Sequence, residues 1–358
     1  MRPRHLIRQS LLSITFIAIS VCVFPRESSA QNSVVLYGVV DSGILWQNRT
    51  TAGGQSSLET LDGGLNPSIY GFMGKEDLGG RTAATFVLEG GFSSINGSLA
   101  SSNGGIFGRK AYVGLTNPDF GSLTAGLQYS PFFLAVMGSD ARLGADFASS
   151  LVPYLNNFLI TGMFDENSLV YTSPNFHGLA ASVELALGNQ PGNFNAGKRT
   201  SASVTYSNSG LYANAAYYAS RSDTTGTLEA EGRTAGIGYT YQSITVKAAV
   251  TNYRRPQTTY SNVYVYGLGF NWTIQPALTW DAGVYVSRNE SDSGGHSTMA
   301  GTGLMYSLSK RSTIYTQVGF TRNSGGLGTG LATNTSTSLQ GLDDGNTVGI
   351  VVGLRQQF

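Results

Sequence analysis

Apolar and polar residues alternate along most of the chain from residue 34 onward. Segments with this period of two include VVLYGVV at 34–40, LAASVELALG at 179–188, LYANAAYYAS at 211–220 and STIYTQVGFTR at 312–322. Successive side chains of a β-strand point to opposite faces, so the alternation predicts strands with one apolar and one mixed face. Each segment is about ten residues long, which is the length of a tilted strand that crosses a bilayer.

The connections between these segments alternate in length. Roughly sixteen segments can be counted, an even number that is typical of bacterial barrels. Short connections rich in Gly, Pro, Asn and Ser occur at 76–80, 117–121, 173–178, 207–210, 274–277 and 307–312. Long polar stretches occur at 47–67, 93–105, 129–166, 189–198 and 323–345. Short turns on one side and long loops on the other predict an all-β, transmembrane antiparallel β-barrel with its turns in the periplasm.

The charged residues indicate which face of each strand meets lipid. In the last strand one face carries Val348, Ile350, Val352, Leu354 and Phe358, and the other carries Gly349, Val351, Gly353, Arg355 and Gln357. In the segment at 81–92 the inward set includes Arg81 and Glu89. Charges on an otherwise apolar strand are tolerated where they face water, so the pattern favours an aqueous lumen over a packed core.

The last strand ends at Phe358. We expect this strand to pair with the first strand and close the barrel, because closure removes the free edges of a sheet. The Phe358 ring is then expected at the membrane interface, where aromatic rings are favoured. The alternative is a buried strand in a soluble sandwich, which leaves the difference between short turns and long loops unexplained.

The N-terminal segment is typical of a secretory signal. Three arginines precede residue 9, the run at 11–24 is apolar, and Ser28-Ser29-Ala30 offers small residues for cleavage. The sequence therefore predicts a cleaved signal peptide at 1–30 and a mature barrel at 31–358. A membrane-spanning helix is the first alternative, but the apolar run is shorter than the roughly 18 residues that a span requires. A lipoprotein at Cys22 is the second, although the two residues before it are bulky for such a site.

Composition changes this picture little. Charged residues make up 12% of the chain and 47 residues are glycine, which suits closely packed strands better than helices. Removal of residues 1–30 takes four arginines and one glutamate from 22 basic and 21 acidic residues, which leaves 18 and 20. This near-neutral balance does not support nucleic-acid binding. The mature chain also contains no cysteine, because Cys22 is the single one.

The sequence offers little catalytic or metal-binding chemistry. The three histidines, His5, His177 and His296, are scattered, and no nucleophile elbow or phosphate-binding loop occurs. We therefore expect no enzyme, no cofactor and no metal. Two other classes of function stay open: an outer-membrane enzyme that uses His177 or His296, and an adhesin or receptor that binds through the long loops.

Several longer motifs carry a family resemblance. The segments at 34–44, 74–80, 108–115, 120–129, 167–179 and 352–358 together resemble the general diffusion porins of Gram-negative outer membranes, in particular those of betaproteobacteria. The resemblance implies a sixteen-stranded homotrimer in the outer membrane, exported through the periplasm and surrounded by lipid and lipopolysaccharide. It implies passage of small solutes and ions, a third long loop folded into the lumen, and a C-terminal Phe358 that the assembly machinery reads.

The resemblance also implies a pore constriction. The third loop, expected at 129–166, carries four acidic residues and one basic residue: Asp140, Asp146, Asp165, Glu166 and Arg142. In the family such acids face a row of arginines on the opposite wall, and Arg109 stands where one of those arginines is expected. Glu89, which strand parity places in the lumen, completes the expected lining. Charges arranged in this way set the ion preference of a pore.

The chain departs from the family on the basic side of this constriction. Ile69 stands where the pattern has an arginine, and Phe164 is aligned with another. We therefore expect an eyelet less cationic than in relatives: weakly cation-selective or nearly unselective, and more open to moderately hydrophobic small solutes. The alternative is that other basic residues, such as Lys75, Arg81 or Lys247, replace the missing arginines.

Overall fold

The computed structural model describes residues 33–50, 54–100, 103–156, 163–256, 262–291, 295–333 and 341–358. The predicted signal peptide at 1–30 lies outside the described residues. The elements in chain order are β1 (Ser33–Gln47), β2 (Ser57–Asp62), β3 (Ile69–Gly79), β4 (Thr82–Gly91), β5 (Lys110–Asn117), β6 (Gly121–Tyr129), α1 (Pro131–Gly138), α2 (Leu151–Asn156), β7 (Phe164–Thr172), β8 (Leu179–Ala186), β9 (Arg199–Asn208), β10 (Leu211–Arg221), β11 (Leu228–Tyr241), β12 (Ile244–Arg254), β13 (Asn262–Gln275), β14 (Leu278–Asn289), β15 (His296–Ser307), β16 (Ser312–Ser324) and β17 (Gly345–Gln357).

These strands form one closed antiparallel barrel. Each strand from β3 to β17 pairs with the next one along the chain, and β17 pairs with β1 from Val39↔Gln357 to Gln47↔Gly349. The lower half of β1 pairs with β3 and its upper half with β2, so β2 and β3 share one place in the barrel. The seventeen strands therefore occupy sixteen positions, which confirms the predicted all-β barrel and its strand number.

The barrel is closed at the chain terminus by backbone hydrogen bonds. Gly38 N–H donates to the Phe358 carbonyl at 3.2 Å, and Phe358 N–H donates to the Gly38 carbonyl at 3.1 Å. The Phe358 ring covers Gly38, where a Cβ atom would lie 2.8 Å from Phe358 Cε1. A glycine is thus required opposite the terminal ring, since any side chain there would collide with it.

The two faces of the strands differ as the alternation predicts. In β17 Ile350, Val352 and Leu354 are 40–59% exposed, whereas Val351 between them is fully buried. The same contrast separates exposed Val284 from buried Tyr285 in β14. Exposed apolar side chains point outward, to the position that lipid occupies around a membrane barrel. Among the described residues, neither helix has the length and apolar run that a membrane-crossing helix needs.

Short turns and long loops lie at opposite ends of the barrel. The turn at 242–243, which the sequence pattern did not indicate, joins the other short connections at the end of the barrel where β1 begins and β17 ends. The third loop runs over 130–163, slightly shorter than expected. Phe164 and Asp165 therefore belong to strand β7 and not to the loop.

The third loop begins with a short helix whose start is set by sequence. The Ser130 hydroxyl accepts a hydrogen bond from Phe133 N–H at 3.1 Å, and Pro131 occupies the first turn, where its missing N–H costs nothing. Helix α1 buries Phe132 against the inward-facing Tyr218 and Tyr253 of the barrel wall, and Phe133 stacks on Tyr129. The loop thus folds into the barrel and packs on the inner faces of its strands.

A row of glycines makes room for this loop. Gly269, Gly283, Gly301, Gly319 and Gly349 are directly paired across β13 to β17. At Gly301 a Cβ atom would lie 2.6 Å from Ala148 Cβ, and at Gly319 it would lie 2.8 Å from Phe147 Cε1. At four of these positions, Gly269, Gly301, Gly319 and Gly349, atoms of the third or the last loop occupy the space that a side chain would need. We call these five residues the glycine row.

Arg142 fixes the third loop to this wall. Its side chain is fully buried and pairs with Asp281 of β14, with Nε 2.8 Å from Oδ1. It also donates to Gln317 Oε1 at 2.6 Å and to the carbonyls of Phe147 and Ala148 at 2.8 and 2.7 Å. Four hydrogen bonds to a fully buried guanidinium join two strands and the loop in one network.

The last loop, at 325–344, adds a second layer. Leu331 carbonyl accepts from Ala148 N–H at 2.7 Å, and Thr333 N–H donates to the Asp146 carbonyl at 2.8 Å. Leu331 is fully buried against Phe147 and Leu45. The described part of the last loop therefore bonds to the third loop and lies beside it against Gly319 and Gly349.

Candidate functional site

A cavity remains between the third loop and the part of the barrel that the loop does not cover. Its volume is about 580 Å³, within the range of sites that hold small molecules. The barrel wall contributes Val39, Ile69, Glu89, Arg109, Lys110, Tyr129 and Arg355, and the third loop contributes Phe133, Met137, Gly144, Asp146, Leu151, Leu155 and Met163. The first loop, the connection at 48–68 that contains β2, adds Asp62, Asn66 and Pro67. The second loop adds Leu99 and Ala100, and the last adds Thr333. We call this space the eyelet cavity.

The charges that line the eyelet cavity balance. Three basic residues, Arg109, Lys110 and Arg355, face three acidic ones, Asp62, Glu89 and Asp146. Glu89 is the centre of the largest cluster, since Oε1 accepts from Arg109 Nε at 3.0 Å and Oε2 from Lys110 Nζ at 3.1 Å. A third donor, the Tyr37 hydroxyl, lies 2.9 Å from Oε2. One carboxylate therefore compensates much of the charge of two cations.

Aromatic rings fix the direction of Arg109. Its guanidinium carbon lies 5.1 Å from the centroid of the Phe164 ring, and its Nη2 donates to the Tyr129 hydroxyl at 2.9 Å. Phe164 and Tyr129 stack on each other with centroids 4.5 Å apart. A cation over a ring face is attracted by the ring quadrupole, so Phe164 supports the orientation of Arg109 from behind.

Asp146 is the loop acid that reaches the eyelet cavity. Asp146 is 8% exposed. Burial raises the pKa of its carboxyl group to about 8, although the positive charge of Arg109 acts to lower it. The neighbouring carboxylates of Asp41 and Asp62 raise this pKa further, while a hydrogen bond from Thr333 lowers it. Near neutral pH the group is therefore largely protonated, which leaves the lining slightly cationic.

Arg355 is the third cation. Its Nε is buried without a hydrogen-bond acceptor among the residues that the structure describes. Asp41, directly opposite in strand β1, already accepts from the Tyr315 hydroxyl and from the N–H groups of Gly64, Leu65 and Asn66. Because these donors surround the Asp41 carboxylate, that carboxylate does not accept a hydrogen bond from the Arg355 Nε.

The structure brings four of the residues expected at the constriction together. Ile69, Glu89, Arg109 and Asp146 all line the eyelet cavity. Their role in a constriction stays a prediction, as does the role of Phe358 in assembly.

The other four expected constriction residues lie outside the cavity lining. Asp140 lies beneath the loop, where it accepts from the Tyr285 hydroxyl and from Gly144 N–H at 2.8 Å. Arg142 is the buried anchor described above. Phe164 stands behind Arg109. Asp165 is fully buried and pairs with Arg199 at 3.3 Å and with the Tyr218 hydroxyl at 2.9 Å.

Three lining charges were not in the expected set. Lys110 follows Arg109 directly, and Arg355 lies on the strand face that parity assigns to the lumen. Those signals were in the sequence, but they do not distinguish the eyelet cavity from the rest of the lumen. Asp62 lies in the first loop, where its Oδ1 accepts from the Ser68 hydroxyl at 2.7 Å, and no sequence pattern indicated it.

The proposed substitutes for the missing arginines lie elsewhere. Arg81 pairs with Asp119 at 2.7 Å on the exposed turn side. Lys75 is exposed near the end of β3. Lys247 donates to the Gly138 carbonyl at 2.8 Å beneath the third loop. Over the described ranges, no group of three His, Cys, Asp or Glu side chains is placed to hold a metal ion.

Known proteins resemble this chain over much of its length. A sequence model of the Gram-negative porin family matches residues 18–326. An outer membrane porin protein of Bordetella pertussis is 28% identical over 256 residues, which is 63% of this chain and 65% of that protein. The major outer membrane protein P.IB of Neisseria gonorrhoeae is 31% identical over 217 residues, 58% of this chain and 55% of that protein. The chain thus spans less than two thirds of these relatives.

A solved structure resembles the whole barrel. An anion-selective porin from Comamonas acidovorans superposes with a TM-score of 0.80 at 22% identity, covering 92% of this chain and 100% of that one. At this identity the likeness supports the fold alone, and the family rests on the sequence match. The chain belongs to the Gram-negative porin family and is a β-barrel of the outer membrane.

Proposed function

We propose that this porin is a water-filled channel for the passive diffusion of ions and small hydrophilic solutes, with little preference between cations and anions. The balanced lining of the eyelet cavity, three basic against three acidic residues, is the observation that carries this proposal. Charges near a constriction set ion preference through the local potential, and a lining close to neutral gives a small potential. The porin from Comamonas acidovorans is described as anion-selective; here Ile69 and Glu89 reduce the cationic character of the same kind of pore.

A second candidate is a channel that favours moderately hydrophobic small molecules. Ile69, Leu151 and Leu155 face the eyelet cavity, and apolar walls lower the cost of removing water from an apolar solute. Both candidates describe transport without catalysis. His177 lies in a turn and His296 at the start of β15, at opposite ends of the barrel, so the two histidines cannot form one catalytic site.

We also propose the assembly that family membership favours. The native form is a homotrimer surrounded by outer-membrane lipid and lipopolysaccharide, and the assembly machinery reads the C-terminal strand that ends at Phe358. Mild detergent gels test the trimer. A band that converts to monomer on heating supports it, and a monomer before heating contradicts it.

The test of the channel is the reversal potential of the purified porin in a planar bilayer with a potassium chloride gradient. We expect conducting steps with a reversal potential close to zero, displaced slightly toward chloride because Asp146 is largely protonated near neutral pH. Glu89→Gln leaves Arg109 and Lys110 uncompensated, so we expect a clear shift toward chloride preference. Glu184→Gln is the matched control, because Glu184 is also buried on the inner wall but does not line the eyelet cavity; its reversal potential should not move.

Two results would contradict the proposal. A silent bilayer would remove the channel function itself and favour a receptor or an enzyme. A strong chloride preference of the unaltered porin would keep the channel and refute the balanced eyelet.

A further inference from the structure

The eyelet cavity has an apolar side and a charged side. The third loop presents Phe133, Met137, Leu151, Leu155 and Met163 to the cavity. Ile69 faces it from the opposite wall. Such a surface is wide enough to contact an alkyl chain or an aromatic ring, and burying each methylene group there is favourable. A solute with an apolar body is therefore retained longer than a sugar or an ion of equal size.

The charged side has one cation that forms no ion pair among the described residues. Arg109 and Lys110 share Glu89, and Asp62 accepts from the Ser68 hydroxyl and from Ser94 N–H at 2.7 and 3.0 Å. Arg355 is different, because it lines the cavity while the donors around Asp41 use the carboxylate opposite it. An anion in the cavity can therefore pair with the guanidinium of Arg355.

Resting on the channel function above, we propose that the eyelet cavity binds amphipathic organic carboxylates during passage. The carboxylate pairs with Arg355, which can form two parallel hydrogen bonds to it. The apolar body, a short alkyl chain or a phenyl group, lies against Ile69, Leu155 and Met163. A volume of about 580 Å³ accommodates a monocarboxylate of this size with water beside it.

Block of the ion current tests this site. Purified porin in a planar bilayer conducts in potassium chloride while acetate, hexanoate or hexylammonium is added, and the half-blocking concentration is measured for each. We expect hexanoate to block at a concentration at least about tenfold below acetate, because each buried methylene contributes about a factor of four. Hexylammonium also has six carbons but carries the opposite charge, and we expect it to block at least about tenfold less well than hexanoate.

Two variants separate the charged and the apolar contributions. Arg355→Gln removes the cation, and we expect the half-blocking concentration of hexanoate to rise about tenfold or more while that of hexylammonium does not. Ile69→Asn keeps Arg355 and removes apolar surface, so it should weaken hexanoate while acetate is unchanged. Arg311→Gln is the control for the loss of one arginine near the same end of the barrel, since Arg311 lies in a turn outside the cavity.

The outcomes distinguish this proposal from the channel function. Conducting steps with equal block by acetate and hexanoate refute the binding site and keep the channel. Equal block by hexanoate and hexylammonium refutes the role of the cation. If Arg355→Gln does not assemble, the Ile69→Asn variant and the comparison of the three solutes still decide the question.

Discussion

The two sides of the barrel interior are built differently. On the covered wall, the inner faces of β10 to β16 and of the part of β17 around Gly349, the third loop packs against tyrosines and the glycine row and forms two buried apolar clusters. On the open wall, the inner faces of β3 to β6, Ile69, Glu89, Lys110 and Tyr129 face a cavity of about 580 Å³. One half of the lumen is filled like the core of a soluble protein, and the other half is left for solutes.

This difference follows from side-chain size at equivalent positions. Glycines at paired positions let the loop backbone touch the covered wall, where Gly319 and Gly349 accept Phe147 and Leu331. The open wall carries an arginine, a lysine and a tyrosine instead, and a cavity remains between it and the loop. The placement of small residues thus decides where the open space lies, and the proposed selectivity depends on the charges that line it.

The largest expected effect comes from the anchor between loop and covered wall. Arg142→Met leaves the carboxylate of Asp281, 2% exposed, without its cation. Breaking a buried pair in this way costs about 3–5 kcal/mol. We expect a fall of this size in the free energy of unfolding, measured by denaturant titration, and larger, noisier single-channel currents because the loop is released.

Two controls make the Arg142 result specific. Arg81→Met removes the exposed pair with Asp119 and should change the free energy of unfolding by less than about 1 kcal/mol. The double variant Arg142→Met/Asp281→Leu removes both charges and should recover part of the loss. Unchanged stability and unchanged current in Arg142→Met would show that the loop is held by its apolar contacts alone.

A smaller effect is expected from one methyl group in the glycine row. In Gly301→Ala the new Cβ would lie 2.6 Å from Ala148 Cβ and would also contact the Arg142 guanidinium. Overpacking of this kind costs about 1–3 kcal/mol. The loop can relieve it only by moving toward the eyelet cavity, so we expect a lower single-channel conductance together with the loss of stability.

Gly267→Ala is the matched control for the glycine row. Gly267 lies on the same strand as Gly269, but its Cβ would meet Tyr285 Cδ1 at 3.2 Å, a contact that a small rotation of the ring relieves. We expect a cost below about 1 kcal/mol and an unchanged conductance. Equal effects at Gly267 and Gly301 would mean that the glycines serve the strands and not the loop.

The barrel could be predicted from sequence because lipid imposes a simple rule. Every backbone group in the membrane must be paired, and each strand must show an apolar face. Alternation therefore identified the strands, and parity placed Val351 and Arg355 inward. The turn at 242–243 was missed because Gln242 and Ser243 offer no Gly or Pro signal.

The interior could be predicted only in part. Arg109 and Asp146 lie together as the resemblance implies, but Asp140, Arg142 and Asp165 are buried outside the cavity. Arg142 donates hydrogen bonds to Asp281 and Gln317, which lie 139 and 175 positions further along the chain. Local sequence patterns contain no information about such contacts. The three-against-three count of lining residues likewise depends on Asp62 and Arg355, which reach the same cavity only after the barrel closes.

The smallest expected effect concerns the charge of the open side as a function of pH. The pKa of Asp146 is raised to about 8. In the folded porin its carboxyl group therefore ionises at a much higher pH than an exposed aspartate, whose pKa is about 3.9. As pH rises through about 8, the eyelet cavity gains one negative charge. We expect the permeability of potassium relative to chloride to increase modestly across this step, measured as a reversal potential from about pH 6 to about pH 10.

Stability should change in the opposite direction. Between about pH 4 and pH 8 the folded porin holds a proton on Asp146 that the unfolded chain has lost, so the free energy of unfolding falls as pH rises through this window. Asp146→Asn should remove both the selectivity step and this part of the pH dependence, whereas Asp119→Asn, at an exposed turn outside the cavity, should leave both in place. A selectivity step that persists in Asp146→Asn would show that a group other than Asp146 titrates. The third loop would then contribute shape alone to the open side.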